Sequence, residues 1–424
     1  MTKQAHRTVP TTPVATVRNA TPASGPRVSR RGLLVGAGAV GIGAYALADG
    51  ALTGRIGTLV DGWLHPLSAQ ASIAHLLRRA GFSGSASEQH AYAQLSFGEA
   101  VNRLVDYEKT PDTFDQQFKR QTFDFGNFKD TQRWWLLRMI HTQRPLQEKM
   151  TLFWHGLLTS SYTKSGNYFP YQVQQNQFLR AHALDTYDNV LLGITHDPAM
   201  LWWLDLRISE KANPNENYAR ELMELFSMGV RGGYTQKDVH EAARALTGWG
   251  TNETQHQAFY DAANHDDGTK TLLGHTGHLD YRDVIHIITN HPATGPFFCK
   301  RLFRFFAHEE PSDADVKPMV DAYHAHGHSM REVVRALFNS PAFVAQESVR
   351  SRLKSPAEFV TGAVRQLELA TDGRALSNVM STMGQRLFDP PNVAGWVGDQ
   401  RSASWLNSGT WLARLNHINA ILDG

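Results

Sequence analysis

The sequence predicts an all-α fold, a single large multi-helix domain with a small irregular or hairpin insertion around residues 251–280. Apolar residues recur at three- and four-residue spacing over most of the chain, which is the spacing of one face of an α-helix. Runs that alternate apolar and polar residues, the pattern of a half-buried strand, are almost absent. With 42% hydrophobic and 19% charged residues, the chain of 424 residues has the composition of a folded globular protein.

Eight segments carry the helical spacing most clearly: 130–141, 147–160, 171–182, 215–228, 236–246, 282–290, 330–338 and 356–369. Asn213, Thr235 and Ser355 each offer an N-cap oxygen and have an acidic residue three positions later, the arrangement of a capping box. Asn213 is therefore expected to cap its helix, and Gly229 is expected in the C′ position where that helix ends. Residues 251–280, rich in Gly, Asn, Asp and His, should form a long loop or a small hairpin.

Composition excludes several classes of site and partner. A single cysteine, Cys299, rules out an intramolecular disulfide framework, a covalently attached haem and cysteine-rich zinc or iron-sulfur sites, so any metal must be held by His, Asp or Glu. Residues 1–48 carry six basic side chains and no acidic one. The remainder has 36 basic against 40 acidic residues, a net charge near −4, so no nucleic-acid partner is expected.

The first 48 residues resemble a twin-arginine (Tat) signal peptide. A basic stretch leads to the sequence SRRGLL, which contains Arg30 and Arg31, and a glycine-rich apolar run follows. Ala46 and Ala48 provide a small-x-small cleavage site, so we expect a mature chain of residues 49–424 that is periplasmic, cell-surface or extracellular. The alternative is an uncleaved anchor, but the apolar run of about 16 residues is shorter than the roughly 20 that cross a bilayer. No later segment is long enough to be transmembrane.

The predicted helix 215–228 carries the densest group of polar side chains. At 100° per residue, Glu216, Asn217, Arg220, Glu221 and Glu224 share one arc, and apolar residues fill the opposite side. This is the pattern of a solvated helix face, with an i,i+4 ion pair between Glu216 and Arg220. The alternative is that these side chains converge on a cleft, as acid-base catalysis or metal binding would require.

Histidines are the next group. His155 and His182 lie among aromatic residues, where a histidine is either a core residue with one hydrogen bond or, on the inner face of a helical bundle, a metal ligand. They are too far apart in sequence to meet except in the fold. The three histidines of residues 324–328 have no acidic partner within the run and are interpreted as surface residues.

A turn and the helix before it offer further polar residues. His265 and Asp266 precede a glycine and Lys270, so they either present two ligands from a tight turn or form only a turn. The predicted helix 236–246 places three polar residues opposite its alanines, either as a solvated face or as part of a cleft: Asp238, Glu241 and Arg244.

These patches belong to a series of motifs: HLLRRAGF from His75, FWH from Phe153, RAHAL from Arg180, HDPAML from His196, NPNENYARELMELFSMG from Asn213, YTQKDVHEAARALTGW from Tyr234, HDDGTKTLLG from His265, KSPAEFV from Lys354 and LFDPPNVAGW from Leu387. In this order they resemble the bacterial "domain of unknown function 1800" family over about residues 73–416. The resemblance implies a largely helical, exported protein without an assigned activity. It also implies a partner, an exported "domain of unknown function 1501" protein that looks like a sulfatase or alkaline phosphatase. Ala181 departs from the family, which usually has arginine there.

The resemblance gives the matching polar positions a shared role in one site. In an enzyme, His155, His182 and His265 would hold a divalent metal, with Asp266 or a glutamate completing the coordination sphere. Glu216 or Glu221 would be the general base, with Arg220 and Asp266 also in the catalytic set. The remaining matching residues would line the polar cleft: Asn217, Glu224, Asp238, Glu241, Arg244 and Lys270.

Two functions follow. The first is an exported metal-assisted hydrolase or transferase that acts on a cell-envelope or extracellular polymer. The alternative is a non-catalytic helical scaffold that binds the sulfatase-like or phosphatase-like partner or a surface polymer, and its aromatic contacts would come from five tryptophans: Trp202, Trp203, Trp249, Trp396 and Trp405. A helical protein with non-covalent haem is a third possibility. If there is one site, the predicted histidines, glutamates and the 265–266 turn must converge in one pocket.

Overall fold

The computed structural model describes residues 67–165 and 168–422, which lie in one compact unit that begins at Pro66. The structure is mostly helical (60%) with two small two-stranded sheets, so the predicted fold class is confirmed. The expected signal peptide, residues 1–48, lies outside the described residues. None of the helices within the described ranges is both long and apolar enough to cross a membrane.

The α-helices of the described residues, numbered in chain order, are α1 (Ala69–Ala80), α2 (Ala86–Ala93), α3 (Phe97–Val105), α4 (Phe114–Gln117), α5 (Phe128–His141), α6 (Pro145–Leu157), α7 (Pro170–Ala181), α8 (Tyr187–Thr195), α9 (Pro198–Trp203), α10 (Glu216–Glu221), α11 (Gln236–Ala245), α12 (Tyr281–Thr289), α13 (Thr294–Phe306), α14 (Asp313–Ala325), α15 (Met330–Asn339), α16 (Pro341–Val344), α17 (Pro356–Gln366), α18 (Leu376–Thr382), α19 (Val397–Gln400) and α20 (Ser408–Leu422). A π-helical segment, Leu222–Ser227, continues α10 directly. All eight segments predicted from apolar spacing are helices, with ends that differ by no more than three residues.

The predicted insertion consists of two antiparallel hairpins rather than one. Their strands are β1 (Trp249–Asn252) with β2 (Gln257–Tyr260), and β3 (Lys270–Leu272) with β4 (His275–Gly277). The second hairpin turns through Leu273 and Gly274, which have φ of 50° and 84°. Positive φ at both central residues is the geometry of a two-residue hairpin loop that matches the strand twist.

Local sequence signals placed two helix starts and one helix end correctly. Thr235 and Ser355 each form the predicted capping box, with Asp238 and Glu358 at N3. Gly229 follows the π-helical segment with φ of 80°, a conformation that glycine adopts without strain. Its expected C′ position is therefore confirmed.

The expected N-cap at Asn213 is wrong, because Asn215 caps α10 by accepting a hydrogen bond from the backbone N–H of Asn217 (2.9 Å). Asn213 is still part of a tight turn, in which its N–H donates to the carbonyl oxygen of Glu210. The Asn215 N–H then donates to Ser209 Oγ (3.0 Å). These contacts delay the start of the helix by two residues.

Helix α6 is the centre of the core. Every residue from Leu146 to Leu157 is buried, so this helix is packed on all sides. Trp154 stacks on Phe298 of α13 and on Tyr187 of α8, with ring centroids 5.5 and 5.9 Å apart. A helix buried on every face carries its polar side chains into the interior, where each needs a partner.

An ion network ties α6 to α1 and α17. Lys149, which has no exposed surface, donates a hydrogen bond to Glu358, and Arg79 lies 3.4 Å from the same carboxylate oxygen. Arg79 also donates to the carbonyl oxygens of Phe305 and Phe306. Arg79 of the HLLRRAGF motif and Glu358 of the KSPAEFV motif therefore hold α1 and α17 together in the interior of the protein.

Candidate functional site

His155 is a core residue. Its Nε2 accepts a hydrogen bond from the backbone N–H of Phe388 (3.1 Å), and the rings of Trp135, Phe388 and Trp396 surround it at 5.1 to 5.5 Å. Burial lowers its pKa to about 3. The imidazole is therefore neutral at physiological pH, with one ring nitrogen already engaged.

His182 lies just after α7 and is partly exposed. Its Nδ1 lies 2.7 Å from Asp185 Oδ2, and its ring centroid is 4.4 Å from that of Phe178. It forms a local pair with the residue three positions later, which fixes the turn between α7 and α8.

His265 is half-buried, with its Nδ1 3.0 Å from the carbonyl oxygen of Thr247. In the part of the chain that the structure describes, no hydrogen bond or ring contact joins His265 to His155 or His182. No three His, Cys, Asp or Glu side chains among those residues are grouped so that they could hold a metal ion. The three predicted metal ligands thus lie in separate surroundings, and their positions do not fit a shared metal.

The expectation that the histidines of residues 324–328 lie on the surface is correct for His324 and His326, which are exposed. It is wrong for His328, which is 8% exposed. His328 Nδ1 lies 2.7 Å from Asp188 Oδ2, and its ring stacks on Tyr323. An acidic partner 140 positions away was not visible in the run itself.

The motifs beginning at Tyr234 and His265 meet at Arg244. Its Nε and Nη2 donate to the two carboxylate oxygens of Asp266 (2.7 and 3.2 Å), a bidentate pair. Its Nη1 donates to Glu241 (3.1 Å) and to the carbonyl oxygen of Thr269 (3.2 Å). The hydrogen bond from Arg244 holds the pKa of Asp266 below its usual value.

Two carboxylates of α11 fasten the second hairpin. Glu241 Oε2 accepts a hydrogen bond from the backbone N–H of Thr271 (2.9 Å), and Asp238 Oδ1 accepts one from that of Leu273 (2.8 Å). These bonds satisfy backbone donors of β3 and its turn that would otherwise lack a partner.

Lys270 closes the turn that leads into this hairpin. It is 1% exposed, and its Nζ donates to the carbonyl oxygens of Asp266 and Gly268. Burial lowers its pKa. The predicted cleft residues Asp238, Glu241, Arg244 and Lys270 do converge with Asp266, but they bind one another and the backbone. We call this group the α11 clamp.

Glu216 joins α10 to α11. Its Oε2 accepts hydrogen bonds from Arg220 Nη2 (2.9 Å) and Gln236 Nε2 (2.7 Å), and its Oε1 lies 3.4 Å from His240 Nδ1. Glu216 and Arg220 form the predicted i,i+4 pair. Two hydrogen bonds engage Oε2 of Glu216, whereas both carboxylate oxygens of Asp266 are engaged in the α11 clamp.

Glu221 differs from the other predicted catalytic residues. No side chain or backbone group of the described residues donates a hydrogen bond to the carboxylate of Glu221 or of Glu224, and both are half-buried. Burial and the nearby charge of Glu224 raise the pKa of Glu221, against the opposing effect of Arg220. Glu221 ends α10 where the π-helical segment begins, and single π-helical turns are frequent at functional sites. Asn217, the remaining residue of this helix in the predicted set, is exposed.

A separate cleft of about 520 Å³ opens between α4, α5, α6 and α7. We call it the aromatic cleft, because five of its lining residues are aromatic: Phe114, Phe118, Phe123, Phe125 and Trp134. Its other lining residues are Asp115, Lys119, Gln121, Arg138, Gln147, Gln177, Arg180 and Ala181. No sequence pattern predicted this site, and the signal for it was the RAHAL motif, which contains the lining residues Arg180 and Ala181.

The two arginines of the aromatic cleft are buried and paired with carboxylates. Arg180 donates to both oxygens of Glu148 (2.5 and 3.1 Å). Arg138 donates to Asp112 (2.7 Å) and Asp115 (3.2 Å) and lies 3.6 Å from Glu148. Burial alone would lower the pKa of Arg138, but the charges of Glu148 and the two aspartates raise it. The guanidinium charges are therefore balanced within the protein.

The tryptophans considered for binding divide into two groups. Trp396 and Trp405 are buried, at 5% and 4% exposure, and belong to the interior. Trp202, Trp203 and Trp249 are half-buried. Only the second group presents ring surface for a contact.

The fold and these sites define the class of the protein, a helical protein with a self-paired charge cluster on α11 and an aromatic cleft between α4, α5, α6 and α7. The chain belongs to the family described as protein of unknown function (DUF1800), which matches residues 75–422. The family resemblance of the sequence motifs is thereby confirmed over this span. Neither a curated protein nor a solved structure matches the chain.

Proposed function

We propose that this protein is a non-catalytic helical module that binds neutral saccharide units of a cell-envelope or extracellular polymer in the aromatic cleft. The observation that carries the proposal is the lining of that cleft, in which aromatic rings, amide side chains and charge-balanced arginines face one volume of about 520 Å³. Ligand pockets typically have 300 to 1,000 Å³ and combine apolar walls with a few placed polar groups.

The aromatic residues supply the apolar surface that the C–H face of a sugar ring requires. Phe118 and Phe125 are half-buried, so part of each ring faces solvent. Trp134 packs edge-on against Phe125, with centroids 5.5 Å apart. This contact holds both rings in fixed orientations, which reduces the entropy lost on binding.

The buried charges of the cleft favour an uncharged ligand, and the exposed Lys119 is the one cation of its lining without an ion pair among the described residues. Arg138 and Arg180 are already paired with Asp112, Asp115 and Glu148, so an anionic ligand would have to compete with three carboxylates.

Gln177 is exposed, and its amide makes no hydrogen bond within the described residues, so it offers both a donor and an acceptor to sugar hydroxyls. Gln121 Oε1 already accepts from Arg133 and Gln147 Nε2 already donates to the carbonyl oxygen of Arg180 (3.0 Å), so these two amides have less to offer.

Calorimetric titration of the mature chain with neutral glucose and N-acetylglucosamine oligosaccharides tests this function. Gln177→Ala and Phe118→Ala should each weaken binding by about three- to tenfold, because each removes one hydrogen bond or one ring contact. Gln366→Ala is the matched control, since Gln366 is an exposed glutamine at the end of α17 and does not line the cleft. Tighter binding of an acidic uronate oligosaccharide, or equal loss in the control, would contradict the proposal.

Export is part of the proposal. The Tat-like signal at Arg30 and Arg31 would bring the folded chain to such a polymer, in the periplasm, at the cell surface or outside the cell. The exported "domain of unknown function 1501" protein is the expected partner, and it would supply the hydrolytic activity that a binding module lacks.

A second function, hydrolase or transferase, is favoured by one observation. Glu221 combines a raised pKa, an unengaged carboxylate within the described residues and a π-helical turn, which are properties of a proton donor. Glu221→Gln should then abolish turnover of an envelope polymer, whereas Glu216→Gln should mainly lower stability. Metal analysis and an absorbance scan of the purified mature chain would decide whether a divalent metal or haem is present. Turnover that survives Glu221→Gln would refute this alternative.

A further inference from the structure

We infer that Lys354, Arg78 and Ser83 form a binding site for a small oxyanion, a phosphate or sulfate group, beside α17. The two cations belong to the motifs that begin at His75 and Lys354, and neither lies in the aromatic cleft or the α11 clamp. Both are half-buried, and among the described residues neither has an ion pair or a side-chain hydrogen bond. A charged group that is partly removed from water is normally paired. These two side chains can therefore bind an external anion without losing a contact within the protein.

Ser83 and Lys354 border one small space beside Gly362. A Cβ placed on Gly362 would lie 3.4 Å from Lys354 Nζ and 3.7 Å from Ser83 Oγ, so the glycine lets both groups approach the backbone of α17. Ser83 is 4% exposed, and its buried hydroxyl has no hydrogen-bond partner among the described residues. A buried hydroxyl without a partner costs free energy. An anion that accepts from both Ser83 Oγ and Lys354 Nζ would remove this cost.

Water is the competing occupant of this space, because the carbonyl oxygen of Phe82 also borders it, 3.2 Å from the same Cβ position. A water molecule could accept from Lys354 and donate to that carbonyl oxygen. It would leave the charge of Lys354 unbalanced, however, and the charges around Lys354 decide between the two occupants.

The neighbours of Lys354 are mostly cations. Burial lowers its pKa, and the charge of Glu358 opposes this effect, whereas three arginines lower the pKa further: Arg78, Arg79 and Arg414. The carboxylate of Glu358 is already engaged by Lys149, by Arg79 and by the backbone N–H of Ser355. Lys354 thus has three cationic neighbours, and its anionic neighbour is shared with other donors. Repulsion of this kind is relieved by an anion and not by water.

Arg414 and Arg350 extend the basic group in two directions. Arg414 Nη2 donates to the carbonyl oxygen of Lys354 (3.0 Å), and its buried Nε has no acceptor among the described residues. Burial and the charge of Arg350 lower the pKa of Arg78 to about 10. Arg350 is exposed, so the basic group reaches from the interior to the solvent and gives an anion a path of entry.

The charge and the donors of the site fit a tetrahedral oxyanion. A phosphate group carries a charge of about −1.5 to −2 at pH 7, which balances the two unpaired cations Lys354 and Arg78. Its oxygens point in several directions and accept charge-assisted hydrogen bonds from ammonium, guanidinium and hydroxyl groups. Sulfate has the same shape and charge. Either group can come as the free ion or as an ester on a larger molecule.

Calorimetric titration of the mature chain with inorganic phosphate and with sulfate, at constant ionic strength in chloride, tests the inference. The wild type should bind both ions. Lys354→Met should weaken binding by about tenfold or more, because a hydrogen bond to a charged donor is lost, and Ser83→Ala should weaken it by about three- to tenfold. Lys237→Met is the matched control, since Lys237 is an exposed lysine of α11 without an ion pair among the described residues. This variant should bind like the wild type.

Thermal unfolding separates a binding role of Lys354 from a structural one. In chloride, Lys354→Met should melt at or above the wild-type temperature, since the variant removes an unpaired cation that lies near three arginines. In phosphate, the melting temperature of the wild type should rise more than that of the variant, because an anion stabilises the folded state that binds it. The general stabilising effect of phosphate on proteins is common to both chains and cancels in this comparison.

Glucose 6-phosphate and galactose 6-sulfate identify the source of the group. Binding of these esters, weakened in Lys354→Met, would support a group carried by a larger molecule, whereas binding of the inorganic ions alone would support the free ion. No binding of either ion at millimolar concentration would overturn the inference, as would equal binding by Lys354→Met. A lower melting temperature of Lys354→Met in chloride would also overturn it, because the ammonium would then be stabilised within the fold itself.

Discussion

Replacement of Glu358 by Gln should destabilise the protein more than any other single change in its ion network. The carboxylate of Glu358 is the only hydrogen-bond acceptor of the Lys149 ammonium among the described residues, and Lys149 has no exposed surface. The variant therefore leaves a buried charge without its counter-charge, which costs about 3 to 5 kcal/mol. At about 2 °C per kcal/mol, the melting temperature should fall by roughly 6 to 10 °C.

The reverse change, Lys149→Met, should cost much less, about 1 to 2 kcal/mol. In that variant Glu358 keeps Arg79 at 3.4 Å and the backbone N–H of Ser355 at 2.7 Å. Methionine also fills most of the volume of the lysine side chain. The two halves of one ion pair are thus predicted to differ in their effect on stability.

The pH dependence gives an independent check. Burial lowers the pKa of Lys149 to about 8 in spite of Glu358, and loss of the carboxylate should lower that pKa further. In Glu358→Gln, Lys149 is therefore protonated in the unfolded chain at pH values where it is already neutral in the folded chain. The free energy of unfolding of this variant then rises with pH. Guanidinium unfolding at pH 6 and pH 9 should show a larger deficit for Glu358→Gln at pH 6. Equal losses of stability in Glu358→Gln and Lys149→Met, or a deficit independent of pH, would show that Glu358 does not stabilise the charge of Lys149.

Three further predictions concern other parts of the chain. Burial raises the pKa of Asp197 to about 7, so the stability that its protonated form contributes is complete below about pH 4 and is lost as the pH rises toward 7. Asp197→Asn should therefore remove this decline from the midpoints of guanidinium unfolding. An unchanged decline in the variant would contradict the prediction. Arg244→Ala should lower the free energy of unfolding by about 2 to 4 kcal/mol, because Glu241 and Asp266 lose their guanidinium partner. Amide hydrogen exchange should accelerate in residues 265–277. Unaltered protection of these residues would count against the α11 clamp. Arg30→Lys/Arg31→Lys should keep the precursor inside the cell when fractions are immunoblotted, and normal export of this variant would remove the Tat interpretation.

Signals that lie close together in sequence predicted the fold well. The period of apolar residues placed eight helices, and the capping boxes at Thr235 and Ser355 depend only on residues three positions apart. Asn213 failed as an N-cap because contacts with Ser209 and Glu210 keep the chain in a turn. The contacts that form this turn are also local, but no sequence pattern indicates that the turn is favoured over an N-cap at Asn213.

The candidate site was predicted only in part, because partners depend on the fold. The sequence singled out Arg244 and Asp266, but not their pairing, which requires the hairpin to fold back on α11. His155 could be read as a ligand because Phe388, whose N–H occupies its Nε2, lies 233 positions away. The aromatic cleft is assembled from residues between 114 and 181, of which only Arg180 and Ala181 lie in a motif, so packing brings the rest together.

The central claim is that ligand binds in the aromatic cleft and not at the α11 clamp or Glu221. Photo-crosslinking of the mature chain with a diazirine-labelled neutral oligosaccharide, followed by peptide mass spectrometry, tests this most directly. Binding in the aromatic cleft should give crosslinks in residues 114–125 and 177–181, and these should be lost when unlabelled oligosaccharide is in excess. Crosslinks confined to residues 216–274 would contradict it and would place the functional site at the family motifs of α10 and α11.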